Sequence, residues 1–483
     1  MLIIPAGCLP KLENEGEIMR EFTLSADIAV VGAGPAGLSA AISAAREGKK
    51  VLLLEKNGFL GGNATLGLPL LGFLDVKGRQ IVGGIAQEYV ERLTARGQSH
   101  GHRTCPKHNS VTNIDPEGFK LLAIEMCREA GVEVLLHLET ASVEVDHGRI
   151  TKAVFYGKGN RVTVTADVFI DCTGDGDLAY LAGCEFESGQ ADTGVLQPPT
   201  VMFTLEDVDT EKVYDHIEAH PEEMTYSATI DHRPGYDAPY FRGDLNHVFV
   251  GLRQTFTRLR EAGKLPVLRE TLIYIKSFHP GEVYVNSTRL INTDATDVFD
   301  LTRAELDGQL QCAALTEVLR ENVPGFEHCF ISHIAPNLGV RETRRFSGLR
   351  RLRAEDVVAG VIPEDTIGLA GYKIDIHSGT DNTTVFRNVE EPYGIPYGCL
   401  VSDRLENLMF AGRCVSMDAP SLASVRVMPH CMSMGQAAGI AAAMAVSRQI
   451  TPGAVDVPAL REKLLAAGAI LTMGQVNALA ASV

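Results

Sequence analysis

The chain has 483 residues, 45% hydrophobic and 22% charged, with 47 glycines, which excludes a disordered or collagen-like protein and leaves room for two or three domains. Lys and Arg number 44 against 61 Asp and Glu, and the formal charge of -17 repels phosphate backbones and anionic lipid, so neither nucleic acid nor membrane is an expected partner. Ten cysteines without a C-x-x-C pair fit neither a zinc ribbon nor a secreted disulfide scaffold, and residues 1–24 lack a basic segment ahead of an apolar core, so a cytoplasmic protein is expected.

In chain order, residues 27–31 are an apolar run of strand length entering a glycine turn, residues 35–48 carry a helical pattern, and residues 50–54 are a second apolar run. This predicts a strand, helix, strand unit. Helices follow at 81–96 and 116–130, then a third parallel strand at 133–138. Residues 141–145, 150–156 and 161–165 alternate apolar with polar around the turn at His147-Gly148, predicting a small antiparallel sheet before a buried strand at 168–171. From residue 185 the pattern changes to acidic helices, a turn-rich segment at 231–244 and strands at 201–205, 271–278 and 283–287. That is the pattern of a second lobe inserted over residues 185–332, with 333–398 at the junction. A strand at 408–411 and an alanine-rich helix from about residue 434 complete the first lobe over 399–483, and the apolar stretch 434–446 is too short for the roughly 20 residues of a bilayer span.

Gly32-Ala33-Gly34-Pro35-Ala36-Gly37 sits where the first strand meets the first helix, and Glu55 ends the next strand 18 residues after Gly37. Gly32 permits the tight turn, Gly34 lets backbone approach a pyrophosphate, and Gly37 lets the helix pack on the sheet, so the helix N-terminus faces phosphates. Glu55 is placed to accept from a ribose hydroxyl. Both FAD and NAD use this fingerprint. Two further glycine-bearing loops, Gly58-Phe59-Leu60-Gly61-Gly62-Asn63-Ala64-Thr65 and Asp171-Cys172-Thr173-Gly174-Asp175-Gly176-Asp177, suit the longer cofactor.

With these residues in view, the chain resembles the bacterial FAD-dependent oxidoreductase family of the glutathione-reductase-like flavoprotein superfamily. The resemblance runs over residues 22–446 and rests on residues 33–65, on 170–177, on Gly339-Val340-Arg341-Glu342-Thr343-Arg344-Arg345, and on the C-terminal segments 406–414, 424–430 and 435–439. It implies an α/β fold, with a Rossmann-like FAD-binding domain formed by residues 25–184 and 399–483, an inserted α+β substrate domain, and a 1–24 extension. It implies non-covalent FAD, with residues 32–37 at the pyrophosphate and Glu55, beside Lys56, at the adenosine ribose. Gly61, Gly62, Asn63, Ala64 and Thr65 would lie towards the ribitol and flavin, Val143 would give backbone at the adenine, and Gly174 and Asp175 would flank the adenosine side. Gly412, Arg413 and a helix start at Gly435, Gln436 and Ala437 would lie near the flavin ring, where a helix N-terminus stabilises negative charge. Asn63 departs from the apolar residue often found there, and no His stands between Gly58 and Thr65, which argues against a histidyl-flavin bond.

No second G-x-G-x-x-G follows a strand and no redox C-x-x-C adjoins the fingerprint, so a substrate that exchanges electrons directly with flavin is expected. Arg341, Arg344, Arg345, Arg350, Arg351 and Arg353 cluster within thirteen residues, and a guanidinium suits bidentate capture of a carboxylate. The alternative is a solvated face, with the arginines paired to Glu342, Glu355 and Asp356; by resemblance Arg341 is the one that reaches the flavin. His377 alternates with Ile374 and Ile376 and would move a proton from a strand end, a structural histidine being the alternative. Arg426 and His430 lie between the C-terminal flavin segments, and Asn286-Ser287-Thr288-Arg289 is a further pocket candidate. Cys105-Pro106-Lys107-His108 lacks the second half of a zinc site, so no metal is expected.

Three readings of activity follow. The first is hydride transfer between a small polar organic substrate and flavin N5, with Arg341 or Arg426 orienting substrate and His377 handling the proton. The second is a fumarate-reductase-like reduction of an activated double bond, and the third the flavoprotein subunit of a larger electron-transfer complex; a homo-oligomer is compatible with each. A tRNA-modifying flavoprotein is disfavoured by the charge.

Overall fold

The strand Arg20–Val31 is the spine of the first sheet in the computed structural model, which describes residues 19–225, 235–245 and 247–481. Residues 1–18 of the terminal extension and 226–234, which include the start of the turn-rich segment, lie outside the described residues. Ile28, Ala29, Val30 and Val31 are buried on both faces, as the interior strand of a parallel sheet requires. Val51–Leu54 and then Glu133–Leu135 add in parallel on one side, and Asn160–Asp171 and then Leu408–Phe410 on the other. The C-terminal part of the chain therefore completes a sheet begun at its N-terminal end.

Asn160–Asp171 is one continuous strand of 12 residues where the sequence pattern suggests two short runs. Its first half pairs antiparallel with Arg149–Gly157, which pairs with Glu139–Asp146, and its last three residues pair with Leu408–Phe410. It thus belongs to both the expected antiparallel sheet and the parallel core.

The helix Pro35–Arg46 crosses from the first strand to the second and packs against the helix Met428–Arg448. That contact needs glycine: a Cβ on Gly435 would lie 2.0 Å from the Ala36 carbonyl oxygen, and one on Gly439 2.2 Å from that of Ala40. The C-terminal helix starts at Met428, six residues before the expected start near residue 434, because Pro429 sits in its first turn with Val427 as N-cap.

Five strands between residues 203 and 334 form a second, wholly antiparallel sheet in the order Val248–Gly251, Leu272–Lys276, Val283–Val285, Phe203–Glu206, Phe330–Ile334. It has its own core, in which Phe249 stacks on Tyr274 with ring centres 4.6 Å apart, and it carries the helix Val298–Asn322, capped by Asp297. Between the lobes, Phe186–Ser188 pairs with Arg344–Phe346, and Ile374–His377 forms a hairpin with Thr384–Arg387. No helix among the described residues is long and apolar enough to cross a membrane.

Candidate active site

At the carboxyl ends of the parallel strands lies a cleft of about 650 Å³. The register places Val31 beside both Leu54 and Asp171, so the loops after all three strands meet there, at the point where an open α/β sheet binds its ligand. Gly32 has φ +94°, and a Cβ on it would lie 2.5 Å from the Cys172 carbonyl; one on Gly37 would lie 1.8 Å from that of Gly32. These two glycines close the turn on itself. Gly34 differs: no heavy atom lies within 4 Å of where its Cβ would be, so its missing side chain leaves room for something that approaches from the cleft. The helix it precedes has no side-chain cap and no acid in its first turn, so its positive end is open to an anion.

Glu55 fixes this loop. One carboxylate oxygen accepts from the Ala33 amide at 2.7 Å and the other from the Asn57 backbone and side-chain N–H groups at 2.8 Å each. Asp171, fully buried, accepts from the Thr173 amide and hydroxyl and the Ala179 amide, and burial pushes its carboxyl up to about 6. It shapes the loop that presents Gly174 and Asp175. Asp175 takes hydrogen bonds from Arg413 Nη2 and the Thr343 hydroxyl, both 2.9 Å; burial opposes its ionisation, but Arg413 and Lys56 outweigh that and hold it below the usual carboxylate range. Arg413 Nη1 is buried with no partner.

A second cavity, of about 220 Å³, adjoins the first. Asn63, Val340, Arg413, Arg426 and Met428 line both, so these residues form the passage between them. Its wall brings together residues far apart in the chain, among them Arg269, Asn286, Arg341, Asp375 and His377. Arg269 and Arg341 share the Thr200 hydroxyl, at 3.4 and 2.7 Å; Arg341 also donates to Pro198 O and Arg269 to Thr288 O. Arg426 donates to Asp375 O at 2.9 Å. Burial and the mutual repulsion of these cations press Arg341 well below its ordinary value, and burial pushes Arg269 down to about 9.

His377 Nε2 lies 3.2 Å from Asp375 Oδ1, its Nδ1 lies 3.1 Å from the Thr384 hydroxyl, and its amide donates to Gln197. Gln197 in turn donates to Glu342, which pairs with Arg345 in the interior, a chain of contacts that fixes the strand carrying His377. Burial, with Arg341 and Arg269, lowers the imidazole to about 3 although Asp375 pulls the other way, so His377 is neutral. Burial alone would raise Asp375; His377 first, then Arg426 and Lys373, hold it well below the usual carboxylate range.

Compared with known proteins, residues 27–464 match the FAD dependent oxidoreductase family. The chain belongs to that family. It is an FAD-dependent oxidoreductase and FAD is its cofactor. Short stretches are also similar to curated proteins: 54% identity over 44 residues to thiamine thiazole synthase of Aeropyrum pernix (9% of this chain, 16% of that protein). Fumarate reductase (cytochrome) of Shewanella frigidimarina is 60% identical over 40 residues (8% and 7%). These stretches span a small part of either chain. Among solved structures, a geranylgeranyl bacteriochlorophyll reductase-like protein of Thermoplasma acidophilum aligns over 92% of this chain and 82% of its own, at 14% identity and TM-score 0.44.

The cleft of this oxidoreductase suits FAD on its own terms, since Gly34 leaves open space, the adjoining helix end is uncapped and Arg413 holds an unspent buried donor. Gly32, Gly34, Pro35, Ala36, Glu55, Lys56, Gly62, Asn63, Gly174, Asp175, Gly412 and Arg413 all line it. Ala33, Gly37, Gly61, Ala64 and Thr65 stand just behind, shaping the two loops; Thr65 closes its turn by donating to Gly62 O at 2.8 Å. Val143 does not line the cleft: the strand Glu139–Asp146 meets it only through its first residues, Glu139 and Thr140. Gly435, Gln436 and Ala437 are not at a helix start. They lie two turns inside Met428–Arg448, where Gly435 packs on Ala36 and Gln436 ties the Ile85 amide to Ala467 O, so the helix end that reaches the passage is Met428.

Within the arginine cluster, only Arg345 pairs with Glu342 as expected. Arg344 pairs with Asp177 and stacks over Tyr180, Arg350 pairs with Asp365 and Arg351 with Glu187, partners brought by tertiary contact instead of by sequence proximity. His430 turns away to Gly72 O, while Cys105 and His108 lie 3.4 Å apart in a hairpin whose His108 reaches the smaller cavity. Sequence reading did not single out Arg269, Thr200 or Asp375 for the site; nothing in their local pattern marks them.

Proposed function

We propose that this oxidoreductase transfers a hydride between flavin N5 and a small polar organic substrate bound in the smaller cavity. The observation that carries the reading is the 3.2 Å approach of His377 Nε2 to Asp375 Oδ1 on the wall of a cavity that opens through Asn63, Arg413 and Arg426 into the FAD cleft. Residues 32–37 would hold the pyrophosphate, Glu55 an adenosine ribose hydroxyl, and Asn63, Arg413 and Met428 the flavin end. FAD, when bound, supplies the two-electron acceptor or donor.

The chain's own residues supply the rest. Arg341 and Arg426 orient the substrate, and His377, its Nε2–H directed at Asp375, accepts at Nδ1, in place of the Thr384 hydroxyl that now faces it, the proton of a substrate hydroxyl or amine as its carbon loses hydride. Asp375 stabilises the imidazolium that results. Anaerobic addition of small alcohols and amines should bleach the flavin absorption band of the purified protein, and His377→Gln should slow the bleaching by roughly 10²-fold or more. Failure of every such compound to bleach it would refute the reading.

The second reading is reduction of an activated double bond. It is favoured by the arginines of the cavity, which suit the carboxylate of an unsaturated acid. Dithionite-reduced protein reoxidised by unsaturated acids, and not bleached by alcohols or amines, would select it.

A further inference from the structure

We propose that the smaller cavity is a carboxylate site, and that the substrate is a small organic acid bearing a hydroxyl or amino group, its carboxylate held by Arg341 and Arg426 with Arg269 behind them. This rests on the reading of that cavity as the substrate site. Four arginines and Lys107 line it, against the single carboxylate of Asp375. Arg413 is paired with Asp175 and Arg269 spends its bonds on Thr288 and Thr200. Arg341 spends only Nη1 on protein and Arg426 only Nη2. The remaining guanidinium edges carry no hydrogen bond to the described residues. Like charges gathered away from water without counter-ions are costly, and a planar carboxylate satisfies a guanidinium edge with two parallel bonds.

A second unmet group indicates what else the ligand carries. Asn286 Oδ1, on the same wall, is a buried acceptor with no partner, and it calls for an O–H or N–H donor. One molecule with a carboxylate at one end and a hydroxyl or ammonium beside it meets both demands, and a volume of about 220 Å³ keeps it small.

The test is a titration of the FAD-loaded protein with lactate and malate, each beside its uncharged amide, with alanine beside alaninamide, and with inorganic phosphate, read as a flavin difference spectrum and as a rise in Tm. At least one acid should bind at least tenfold more tightly than its amide and than phosphate. Arg341→Gln should weaken that acid by roughly 10- to 100-fold and leave the amide unchanged, and Arg341→Lys should recover part of the loss. Amides that bind as well as acids, phosphate that binds best, or no acid that binds would overturn the proposal. The acid-against-amide comparison needs no variant, so a misfolded Arg341→Gln leaves it decisive. Acids that bind without ever exchanging electrons with flavin would uphold the carboxylate site and refute hydride transfer; neutral alcohols or amines that bleach the flavin while no acid binds would do the reverse.

Discussion

His377 is held neutral by a balance of its neighbours: burial, Arg341 and Arg269 lower it, and Asp375 at 3.2 Å raises it. An anion that offsets the two arginines removes part of what lowers it, so the imidazole gains affinity for a proton when an acid enters the cavity. Binding and protonation then favour each other. The affinity of a carboxylate ligand should therefore tighten between about pH 5.5 and pH 4.5, on the side of neutrality where an imidazole held at about 3 begins to take up its proton, and that of its amide should not. A flat profile for both, measured by titration at the two pH values, would remove His377 from contact with the bound anion. Asp375→Asn tests the partner: it takes away the charge that stabilises the imidazolium, and should lower kcat by roughly tenfold or more while KM changes less.

The strand, turn and helix of the fingerprint contain two kinds of glycine, which substitution separates. Gly34→Ala adds a methyl group into open space at an ordinary φ of -72°, so thermal stability should change by no more than about 1 kcal/mol while flavin content falls sharply. Gly37→Ala drives a methyl group into Gly32 O and should destabilise the fold by about 1–3 kcal/mol or more whether or not FAD is present. Gly435→Ala should behave like Gly37→Ala, because it wedges Met428–Arg448 away from Pro35–Arg46. Thermal melts beside flavin quantification distinguish the two classes. If Gly435→Ala keeps full stability and loses FAD, that helix touches the cofactor where the structure has it touching Ala36.

Among the described residues, five buried or partly buried histidines are held below their ordinary value of 6.5, chiefly by burial: His100, then His102, His247 and His430 at about 4 and His377 at about 3. A base whose folded pKa is depressed binds fewer protons folded than unfolded, so its stabilising effect is complete above about pH 6.5 and is lost as pH falls towards the folded value. Asp171, raised to about 6, acts in the opposite sense: its effect is complete below its unfolded value of 3.8 and is lost as pH rises through 6. The five histidines outweigh Asp171 and the likewise raised Asp177 and Glu305. Tm should fall between pH 7 and pH 5, with about 2 kcal/mol for each of the fully buried His247 and His430. A Tm at pH 5 equal to or above that at pH 7 would contradict this.

The dinucleotide cleft was legible because its parts are local. Gly32, Gly34, Gly37 and Glu55 lie within one strand, helix, strand unit, so spacing alone puts them at one end of the sheet, and the glycine-bearing loops at Gly62 and Gly174 follow strand ends; the resemblance added their roles towards FAD. Helix ends were read less well: Ala-rich sequence suggested a start near residue 434, whereas Pro429 begins the helix earlier and moves Gly435 into a packing contact. Val143 lies three residues beyond Thr140, because its strand brings only Glu139 and Thr140 to the cleft. The sequence by itself thus determined the fold class and the dinucleotide fingerprint from Gly32 to Glu55, since backbone conformation and nearest neighbours decide both; FAD in place of NAD came from the resemblance and the family match. The smaller cavity was decided only by tertiary structure. Its charge comes from Arg269, Arg341 and Arg426, and its proton acceptor from Asp375 and His377, positions that no period or spacing relates. They meet because two lobes with separate cores pack across one junction, and an unpaired guanidinium reveals itself as a site only once the burial around it is known.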